Sequence, residues 1–251
     1  MKTLLLDIET APHKVFVWGL YNQNISIDKI DEPGYTLCWA AKWHGEEEKM
    51  FSSIYHDDPF VMLWDIYALI DEADAVVHYN GTKFDMPKLY QEFLEAGWKP
   101  PSPVHEIDLY KTVKKRFSFP SNKLTYICEQ LSLGTKVKHK GMELWRECMD
   151  MDPQAWSTMK EYNLGDLDLL EALYNNLLPW IPGHANRGLY SDISAHICPN
   201  CGSTNLEKRG LYHAKTQSYQ RFHCNDCGKW SRGKVTVLPK EKRSAILVGV
   251  E

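Results

Sequence analysis

The sequence predicts an α/β domain with a mixed sheet flanked by helices, followed by a small cysteine-rich module. Strand-like segments come first along the chain and then alternate with helical ones, which is typical of a mixed sheet. The 251 residues are 43% hydrophobic, enough apolar material for one sizeable core and a small second unit. Four of the seven cysteines form two Cys-x-x-Cys pairs within residues 198–227, which sets that segment apart.

Apolar segments bounded by turn residues mark the strands of the first domain. The predicted strands are residues 3–9, Val15–Gly19, Tyr35–Trp43, Glu48–Phe51 and Ala75–Tyr79. A first helix begins at Asp58-Pro59, an N-cap followed by proline at the first helical position. Its sequence, FVMLWDIYALIDEA, is apolar on most sides, so we expect this helix to be well buried.

Most of the remaining first domain is predicted to be helical. A helix follows Asp85 and ends near Gly97, and a long helix begins at Asp152-Pro153 and ends near Leu178. Two shorter helices are predicted at Lys123–Leu131 and Glu143–Met149. The expected boundaries are 1–178 for the α/β domain, 179–197 for a linker, 198–238 for the cysteine-rich module and 239–251 for a basic C-terminal tail.

The charge of the chain is unevenly distributed. Residues 198–251 contain ten Lys or Arg and four Asp or Glu, a balance of +6. Residues 1–197 contain 19 basic and 29 acidic residues, a balance of −10. A basic segment on an acidic body predicts contact with a polyanion, although a solvated surface without a partner has the same composition.

Membrane and secretory signals are absent from the sequence pattern. No apolar run approaches the roughly 18 residues that a membrane span needs. The first ten residues are too short and too acidic for a signal peptide. We therefore expect a cytoplasmic protein that makes no membrane contact.

Two acidic residues, Asp7 and Glu9, interrupt the apolar first strand. Alternate side chains of a strand share a face, so both carboxylates point the same way, roughly 6–7 Å apart. Burying two like charges without partners is costly, and a divalent cation between them removes that cost. The alternative is that the strand end reaches solvent and both acids are hydrated.

A third acid, Asp85, lies where the second helix begins, in the segment HYNGTKFDMP of residues 78–87. An N-cap aspartate with Pro87 in the first turn is ordinary helix chemistry. Asn80-Gly81 is likewise compatible with a simple turn. Taken alone, this segment does not distinguish a functional site from helix capping.

A fourth acid, Asp166, falls in the middle of the apolar stripe of the long helix. At 100° per residue, five large side chains lie within about 40° of it: Met159, Tyr162, Leu170, Leu173 and Leu177. Asp168 lies about 200° away, on the polar side. A buried aspartate needs a partner, and either a metal ion or a buried Arg or Lys would serve. Tyr162, one turn earlier, places its hydroxyl beside the carboxylate.

Together these motifs resemble the DEDD exonuclease superfamily, whose members have a ribonuclease H-like fold and remove nucleotides from 3′ ends. The shared pattern is Asp-x-Glu on the first strand, Asn-x-x-x-Phe-Asp at a helix start and Tyr-x-x-x-Asp on a late helix. The matching residues are Asp7, Glu9, Asn80, Phe84, Asp85, Tyr162 and Asp166. The resemblance covers about residues 1–178 and implies a ribonuclease H-like mixed sheet.

The tyrosine four residues before the last aspartate is typical of the DEDDy branch. The DEDDh branch has a histidine five residues before that aspartate, where this chain has Glu161. Within the DEDDy branch the chain looks most like the proofreading domains of family B polymerases and the stand-alone exonucleases common in phages. If the protein is phage-encoded, the expected compartment is the host cytoplasm.

The resemblance implies hydrolysis of a phosphodiester by a two-metal-ion mechanism, with two Mg²⁺ or Mn²⁺ ions as cofactors. It implies that Asp7 bridges the two ions and that Glu9 and Asp166 complete the site that activates water. It implies that Asp85 holds the second ion, largely through waters. Tyr162 is expected to orient the attacking water, because its ordinary pKa near 10 favours positioning over proton abstraction.

The resemblance also implies a nucleic-acid substrate. DNA with single-stranded ends is the expected substrate, and RNA is the alternative because both carry the same phosphodiester. Thr10, Asn80 and Phe84 are the expected substrate-binding residues. Five basic residues either meet phosphates or form a solvated face: Lys83, Lys111, Lys114, Lys115 and Arg116.

The cysteine pairs predict a structural zinc site. Cys198, Cys201, Cys224 and Cys227 form two Cys-x-x-Cys knuckles separated by 22 residues, a spacing whose thiolates enclose a tetrahedral Zn²⁺. The glycine after each knuckle suits its tight turn. Two disulfides are the alternative, which an intracellular protein disfavours. The other cysteines, Cys38, Cys128 and Cys148, are expected to be buried free thiols.

The cysteine-rich module resembles a zinc ribbon, a module that binds DNA, RNA or protein or only braces its host. Its aromatic residues are interleaved with basic ones: Tyr212, Tyr219, Phe222 and Trp230 with Lys208, Arg209, Arg221, Lys229, Arg232 and Lys234. This mixture is typical of surfaces that bind single-stranded nucleic acid. A structural or protein-binding ribbon is the alternative.

Two rival functions stay open at the level of sequence. One is a nucleic-acid-binding zinc-ribbon protein whose nuclease domain is weak or inactive, and the other is an endonuclease on the same fold. The presence of all four carboxylates and the tyrosine argues against an inactive site. The Tyr-x-x-x-Asp element favours the exonuclease.

Overall fold

The computed structural model describes residues 1–250. It divides the chain into two compact units, Met1–Asn175 and the residues from Asn176 onward, and each unit is described by itself. The domain boundaries expected from the sequence, which end the first domain at residue 178, stay predictions.

The first unit is built on a mixed sheet, as predicted. Its strands are β1 (Thr3–Thr10), β2 (Lys14–Val15), β3 (Ile30–Glu32), β4 (Thr36–Trp43), β5 (Met50–Ser53), β6 (Ala75–His78) and β7 (His105–Asp108). Five of them form the main sheet in the order β5-β4-β1-β6-β7, and β2 pairs only with β3. Because β1 pairs antiparallel with β4 and parallel with β6, it lies at the centre of the sheet.

Six helices accompany this sheet. They are α1 (Pro59–Glu72), α2 (Asp85–Glu95), α3 (Leu109–Arg116), α4 (Leu124–Gln130), α5 (Met142–Met149) and α6 (Pro153–Leu177). The Asp58 side chain accepts a hydrogen bond of 2.9 Å from the backbone N–H of Phe60, which confirms the predicted N-cap of α1. The predicted helices are confirmed, whereas the short elements β7 and α3 were not predicted.

The central strand separates two layers of core. Leu4, Leu6 and Ile8 of β1 pack with α1 and α2 in one apolar cluster. A second cluster joins Leu37 and Cys38 of β4 to side chains of α5 and α6. Since neighbouring residues of a strand point to opposite faces, Asp7 and Glu9 face away from the first cluster.

Two expectations about apolar segments are wrong. Val15–Gly19 is not a full strand: only Lys14–Val15 pairs with β3, and Trp18 is fully exposed. Helix α1 is not buried all round, since Met62, Ile66 and Ile70 are buried while Trp64 is 48% exposed. Both segments contain more apolar residues than the main sheet can cover. A segment with strand propensity forms a strand only where a partner strand is present.

Helix α6 has the apolar stripe that the sequence predicts. Met159, Leu170, Leu173 and Leu177 are buried, and Asp166 among them is only 2% exposed. Within residues 1–250, no helix combines the length and the apolar character that crossing a membrane requires.

The second unit contains an antiparallel three-stranded sheet. Its strands are β8 (Leu206–His213), β9 (Ser218–Cys224) and β10 (Trp230–Thr236), with β9 in the middle, and a short helix α7 (Lys240–Ser244) follows. The segment expected to be a linker contains short 3₁₀ helices at Leu178–Trp180 and Arg187–Tyr190. The Lys229 ammonium donates hydrogen bonds of 3.1 Å to the carbonyls of Pro179 and Ile181, which ties the start of this segment to the sheet.

Candidate active site

Three carboxylates converge at the end of β1. Carboxylate oxygens of Asp7, Glu9 and Asp166 lie within 4.8 Å of one another. The two from β1 share a face by strand alternation, and α6 brings the third across that face. A bulge between Glu9 and Thr10 interrupts the pairing with β4 just beyond them, and such bulges re-aim side chains at strand ends. The cluster offers only oxygen ligands, the donor set that Mg²⁺ and Mn²⁺ favour.

The fourth predicted acid, Asp85, lies beside this cluster and outside the 4.8 Å group. It is the first residue of α2 and is only 5% exposed. Its carboxylate does not cap α2 as the N-cap alternative supposed, because Phe84 occupies the N-cap position. Instead Asp85 Oδ1 accepts a hydrogen bond of 3.2 Å from the backbone N–H of Ile8, so it joins the helix start to the strand that carries the other acids.

Burial of these four acids raises the pKa of each carboxyl group. The pKa of Asp7 lies well above its usual range, and the neighbouring Glu9, Asp85 and Asp166 raise it further. Burial and the Asp166 charge raise the pKa of Glu9 to about 8. Burial raises the pKa of Asp85 to about 6 and also raises that of Asp166. A divalent cation would remove this penalty, because it favours the ionised form of every carboxylate around it.

Lys136 contacts the cluster, and sequence analysis did not identify it. Its ammonium forms an ion pair with Oδ2 of Asp166 and lies 3.1 Å from the hydroxyl of Tyr162. Burial opposes the charge of Lys136, but the Asp166 carboxylate and the Tyr162 hydroxyl outweigh it and raise the lysine pKa. Lys136 is therefore a half-buried form of the Arg or Lys partner that the sequence left as an alternative to a metal.

The ammonium of Lys136 does not neutralise all the carboxylates of the site. It balances one carboxylate of the three that converge, and in the described part of the chain Oδ1 of Asp166 is buried without a hydrogen-bond partner. A buried polar atom without a partner is costly, so this oxygen fits a metal ligand. The residues present therefore fit divalent cations in addition to the lysine.

Asn163 is a second residue that sequence analysis missed. Its amide nitrogen donates a hydrogen bond of 2.7 Å to Oδ2 of Asp7, and its side chain is fully buried. Its amide oxygen lies 3.7 Å from the Cys38 thiol, which donates to it and fixes the orientation of the amide. The sequence feature that could have identified Asn163 is its position three residues before Asp166, because this spacing places both residues on one face of α6.

Tyr162 lies against the same carboxylate. Its ring contacts the rings of His139 and Trp145, at centroid distances of 4.8 and 6.0 Å, and the residue is 7% exposed. Burial and the charge of Asp166 raise the pKa of the Tyr162 hydroxyl. The hydroxyl therefore stays protonated at neutral pH and can orient a water molecule more readily than it can remove a proton.

The loop before α2 carries the expected substrate-binding residues. Asn80 has a left-handed backbone (φ 69°), and its N–H donates a hydrogen bond of 3.0 Å to Asp108. A side chain at Gly81 would collide with the ring of His78 at 2.4 Å, so this turn requires glycine. Phe84 is 48% exposed, which leaves its ring available to a ligand. Thr10, at the end of β1, is half-buried.

Two other acids of the first unit, Asp108 and Asp168, lie outside the cluster. Asp108 is the N-cap of α3 and accepts a hydrogen bond of 3.4 Å from the backbone N–H of Lys111. Asp168 is exposed and pairs with Lys49 at 2.6 Å. Neither was assigned a catalytic role from the sequence.

A basic cavity of about 260 Å³ adjoins Asn80. Its lining is Asn80, Lys83, Tyr110, Lys111, Lys114 and Lys115. Within residues 1–250, none of these four ammonium groups has a carboxylate partner within 4.0 Å. Three of the lysines come from α3, the helix that sequence analysis did not predict. The cavity concentrates positive charge beside the loop that carries Asn80.

The four cysteines of the second unit also converge. Sulfur atoms of Cys198, Cys201, Cys224 and Cys227 lie within 4.8 Å of one another, and two of the pairs are 3.6 Å apart. These distances exceed a disulfide bond and fit four thiolates around one Zn²⁺. Gly202 and Gly228 have φ values of 80° and 78°, the left-handed backbone expected at each knuckle. Cys38, Cys128 and Cys148 are buried free thiols, as predicted.

Comparisons with known proteins agree with this architecture. The family model RNase_H_2, which describes the RNase H superfamily, matches residues 4–178. Among solved structures, the chain is similar to the family B DNA polymerase from the hyperthermophilic archaeon Pyrobaculum calidifontis, with a TM-score of 0.55 and 18% identity. The match covers 71% of this chain and 24% of the polymerase chain, so it concerns the fold of a part of that enzyme. No curated protein sequence matches.

Proposed function

Because the chain belongs to the RNase H superfamily, we propose that it is a metal-dependent 3′–5′ exonuclease that hydrolyses DNA, with single-stranded ends as its preferred substrate. The observation that carries the proposal is the convergence of Asp7, Glu9 and Asp166 within 4.8 Å, with Asp85 beside them. Four carboxyl groups crowded in one place, two of them buried and two half-buried, are costly for stability, so their chemistry supports a site for divalent cations.

Two Mg²⁺ or Mn²⁺ ions held by these four carboxylates would supply an activated hydroxide and stabilise the leaving oxygen of the phosphodiester. The donors are all oxygen, and Oδ1 of Asp166 has no other partner among the described residues. The hydrogen bond from Asn163 holds the Asp7 carboxylate in one orientation. Such supporting contacts usually raise metal affinity and activity.

Tyr162 and Lys136 supply the polar groups around the attacking water. The protonated hydroxyl of Tyr162 orients the water, and the ammonium of Lys136, 3.1 Å from that hydroxyl, places a positive charge where the phosphate becomes more negative. A tyrosine one turn before the last aspartate is also the feature that favours an exonuclease of the DEDDy type over an endonuclease.

Substrate binding is assigned to the loop before α2 and to the basic cavity beside it. The exposed ring of Phe84 can stack on a terminal base, while Asn80 in the same loop and Thr10 at the end of β1 offer polar groups. The four lysines of the cavity would bind the phosphates of the same strand. RNA has the same backbone charge, so the preference for DNA rests on the resemblance to proofreading domains.

The test is digestion of 5′-labelled single-stranded DNA with Mg²⁺ or Mn²⁺. We expect a ladder that shortens from the 3′ end, that needs added metal, and that is lost in Asp7→Ala and Asp166→Ala. Asp168→Ala is the matched control, because it removes an acid from the same helix but outside the cluster. Digestion of circular single-stranded DNA would identify an endonuclease. Trimming of RNA but not of DNA would mean that the substrate is RNA.

A further inference from the structure

The three-stranded sheet of the second unit presents one face on which arginines and aromatic rings alternate. In β9, Tyr219 and Arg221 share a face because they are two residues apart. Cross-strand neighbours share that face too: Arg232 of β10 pairs with Arg221, and Tyr212 of β8 pairs with Tyr219. The arginine–aromatic face is defined by Tyr212, Tyr219, Arg221, Trp230 and Arg232.

The opposite face of the sheet carries the buried side chains of the module. Phe222 is 5% exposed, its ring lies 4.8 Å from that of His196, and Cys224 belongs to the thiolate cluster. On the arginine–aromatic face, by contrast, Tyr212 and Trp230 are each 46% exposed. These large rings are therefore not needed for the core, and they offer apolar surface to a ligand.

The guanidinium groups lie over the rings of this face. Arg221 lies 4.7 Å from the centroid of Trp230, and Arg232 lies 4.0 Å from Tyr219 and 5.6 Å from Tyr212. These are cation–π distances, at which a planar guanidinium and a ring support each other's orientation. The result is a set of planar groups held in place before any ligand binds.

The charge of the face is unbalanced. Glu207 pairs with Arg209 at 3.4 Å, whereas within residues 1–250 neither Arg221 nor Arg232 has a carboxylate within 4.0 Å. Arg221 donates one hydrogen bond to the carbonyl of Arg209, and Arg232 donates one to that of Gly233. A guanidinium has further N–H donors, and these suit an anionic ligand.

We propose that the arginine–aromatic face binds single-stranded nucleic acid, with bases stacked on the exposed rings of Trp230 and Tyr212 and with phosphates at Arg221 and Arg232. Unpaired bases expose the planar surfaces that rings and guanidinium groups bind, whereas a duplex hides them. An acidic peptide would satisfy the arginines but would leave the rings unused. The proposal does not depend on the nuclease activity, since it concerns a different unit of the chain.

The experiment measures the affinity of the full chain for labelled oligonucleotides. All proteins carry Asp166→Ala, so that the probe is not digested. The probes are oligothymidine and oligouridine of about 12 nucleotides, within the size range of small single-strand-binding modules. We expect Trp230→Ala to weaken binding about tenfold without changing its salt dependence, because stacking involves no charge.

Arginine substitutions test the phosphate contacts. Arg221→Ala should weaken binding and lower the slope of log K against log salt by about 0.7, the value for one phosphate contact on a single strand. Lys208→Ala is the matched control, because Lys208 pairs with Phe222 in the sheet and so lies on the opposite face. It removes one positive charge and should leave the affinity close to that of the parent.

Two results would overturn the proposal. Equal losses of affinity in Lys208→Ala and Arg221→Ala would mean that the affinity depends only on the net charge of the module. Unchanged affinity in both Trp230→Ala and Arg221→Ala, with one zinc per chain retained, would mean that the face serves another partner, such as a protein.

Arg232→Lys tests the planar group by itself, because it keeps the charge but loses the guanidinium plane. This variant should also bind the oligonucleotide more weakly if stacking contributes.

Discussion

Asn163 and Asp7 are 156 residues apart and are joined by a hydrogen bond of 2.7 Å from the asparagine amide to Oδ2 of the aspartate. This contact joins α6 to β1 at the point where the carboxylates converge. Loss of the amide should let the Asp7 carboxylate rotate away from its cluster. We expect Asn163→Ala to lower metal affinity and exonuclease rate by about 10–100-fold, the usual effect of losing such a supporting contact.

Mn²⁺ titration of the rate measures this effect. Asn175→Ala is the control, because Asn175 lies on the same helix and contacts His44 at 2.8 Å, away from the acids. An unchanged metal dependence in Asn163→Ala would contradict the positioning role.

Lys136→Met should lower the exonuclease rate measured with added metal. It should also lower the stability of the metal-free protein. Removing the ammonium leaves Asp166 buried without a counter-charge. We expect a loss of about 2 kcal/mol at neutral pH, less than for a fully buried pair because the Lys136 side chain is 25% exposed. Urea unfolding measures it. Lys49→Met, which removes the partner of the exposed Asp168, should change stability by less than about 1 kcal/mol.

The metal-free protein should lose stability as the pH rises. The folded pKa values of Glu9 and Asp85 are raised to about 8 and about 6, above their ordinary values of 4.5 and 3.8. Groups with raised pKa values contribute stability below the unfolded pKa, and this contribution is lost as the pH rises through the folded pKa. The melting temperature should therefore fall between about pH 4 and pH 8.

Added Mn²⁺ should reverse this trend, because it binds the ionised carboxylates, so its stabilising effect should be larger at pH 8.5 than at pH 5.5. Glu9→Gln should flatten the pH dependence without metal. A melting temperature that rises steadily with pH in metal-free buffer would show that the acids are not buried together.

The lysines of the basic cavity should affect substrate binding more than chemistry. Lys111→Ala and Lys114→Ala remove charges that line the cavity beside Asn80. Because these contacts hold substrate and transition state equally, KM should rise several-fold while kcat stays near that of the parent. Lys160→Ala, whose ammonium lies over the ring of Phe51, removes an equal charge elsewhere and should leave KM unchanged.

The thiolate cluster should bind one zinc ion per chain. Cys227→Ser should lower the zinc content, measured by elemental analysis, and should destabilise the sheet of β8, β9 and β10, since zinc modules owe much of their folding energy to the metal. Cys128→Ala, at a buried free thiol, should keep the full zinc content. Zinc bound equally by both variants would contradict the assignment.

Local patterns were sufficient to predict much of this protein. The ribonuclease H-like mixed sheet is confirmed, and so is the first strand, which carries two acids on one face. The burial of Asp166 followed from its helical phase, and the spacing of the cysteines anticipated their convergence. These features depend on neighbours a few residues apart, where strand and helix periods determine which way a side chain points.

The tertiary structure decided the features that depend on distant contacts. Lys136 lies in no recognisable motif, and only long-range packing brings its ammonium to Asp166 of α6. Asn163 lies one turn from Asp166 on the same helix, but only the packing of α6 against β1 brings its amide to Asp7. The exposure of Trp18 and of one side of α1 depended on how much apolar surface the sheet covers. Likewise, strand register placed Arg221 and Trp230 on one face and Lys208 on the other. A linear sequence contains the chemistry of each side chain, but long-range packing determines which side chains meet.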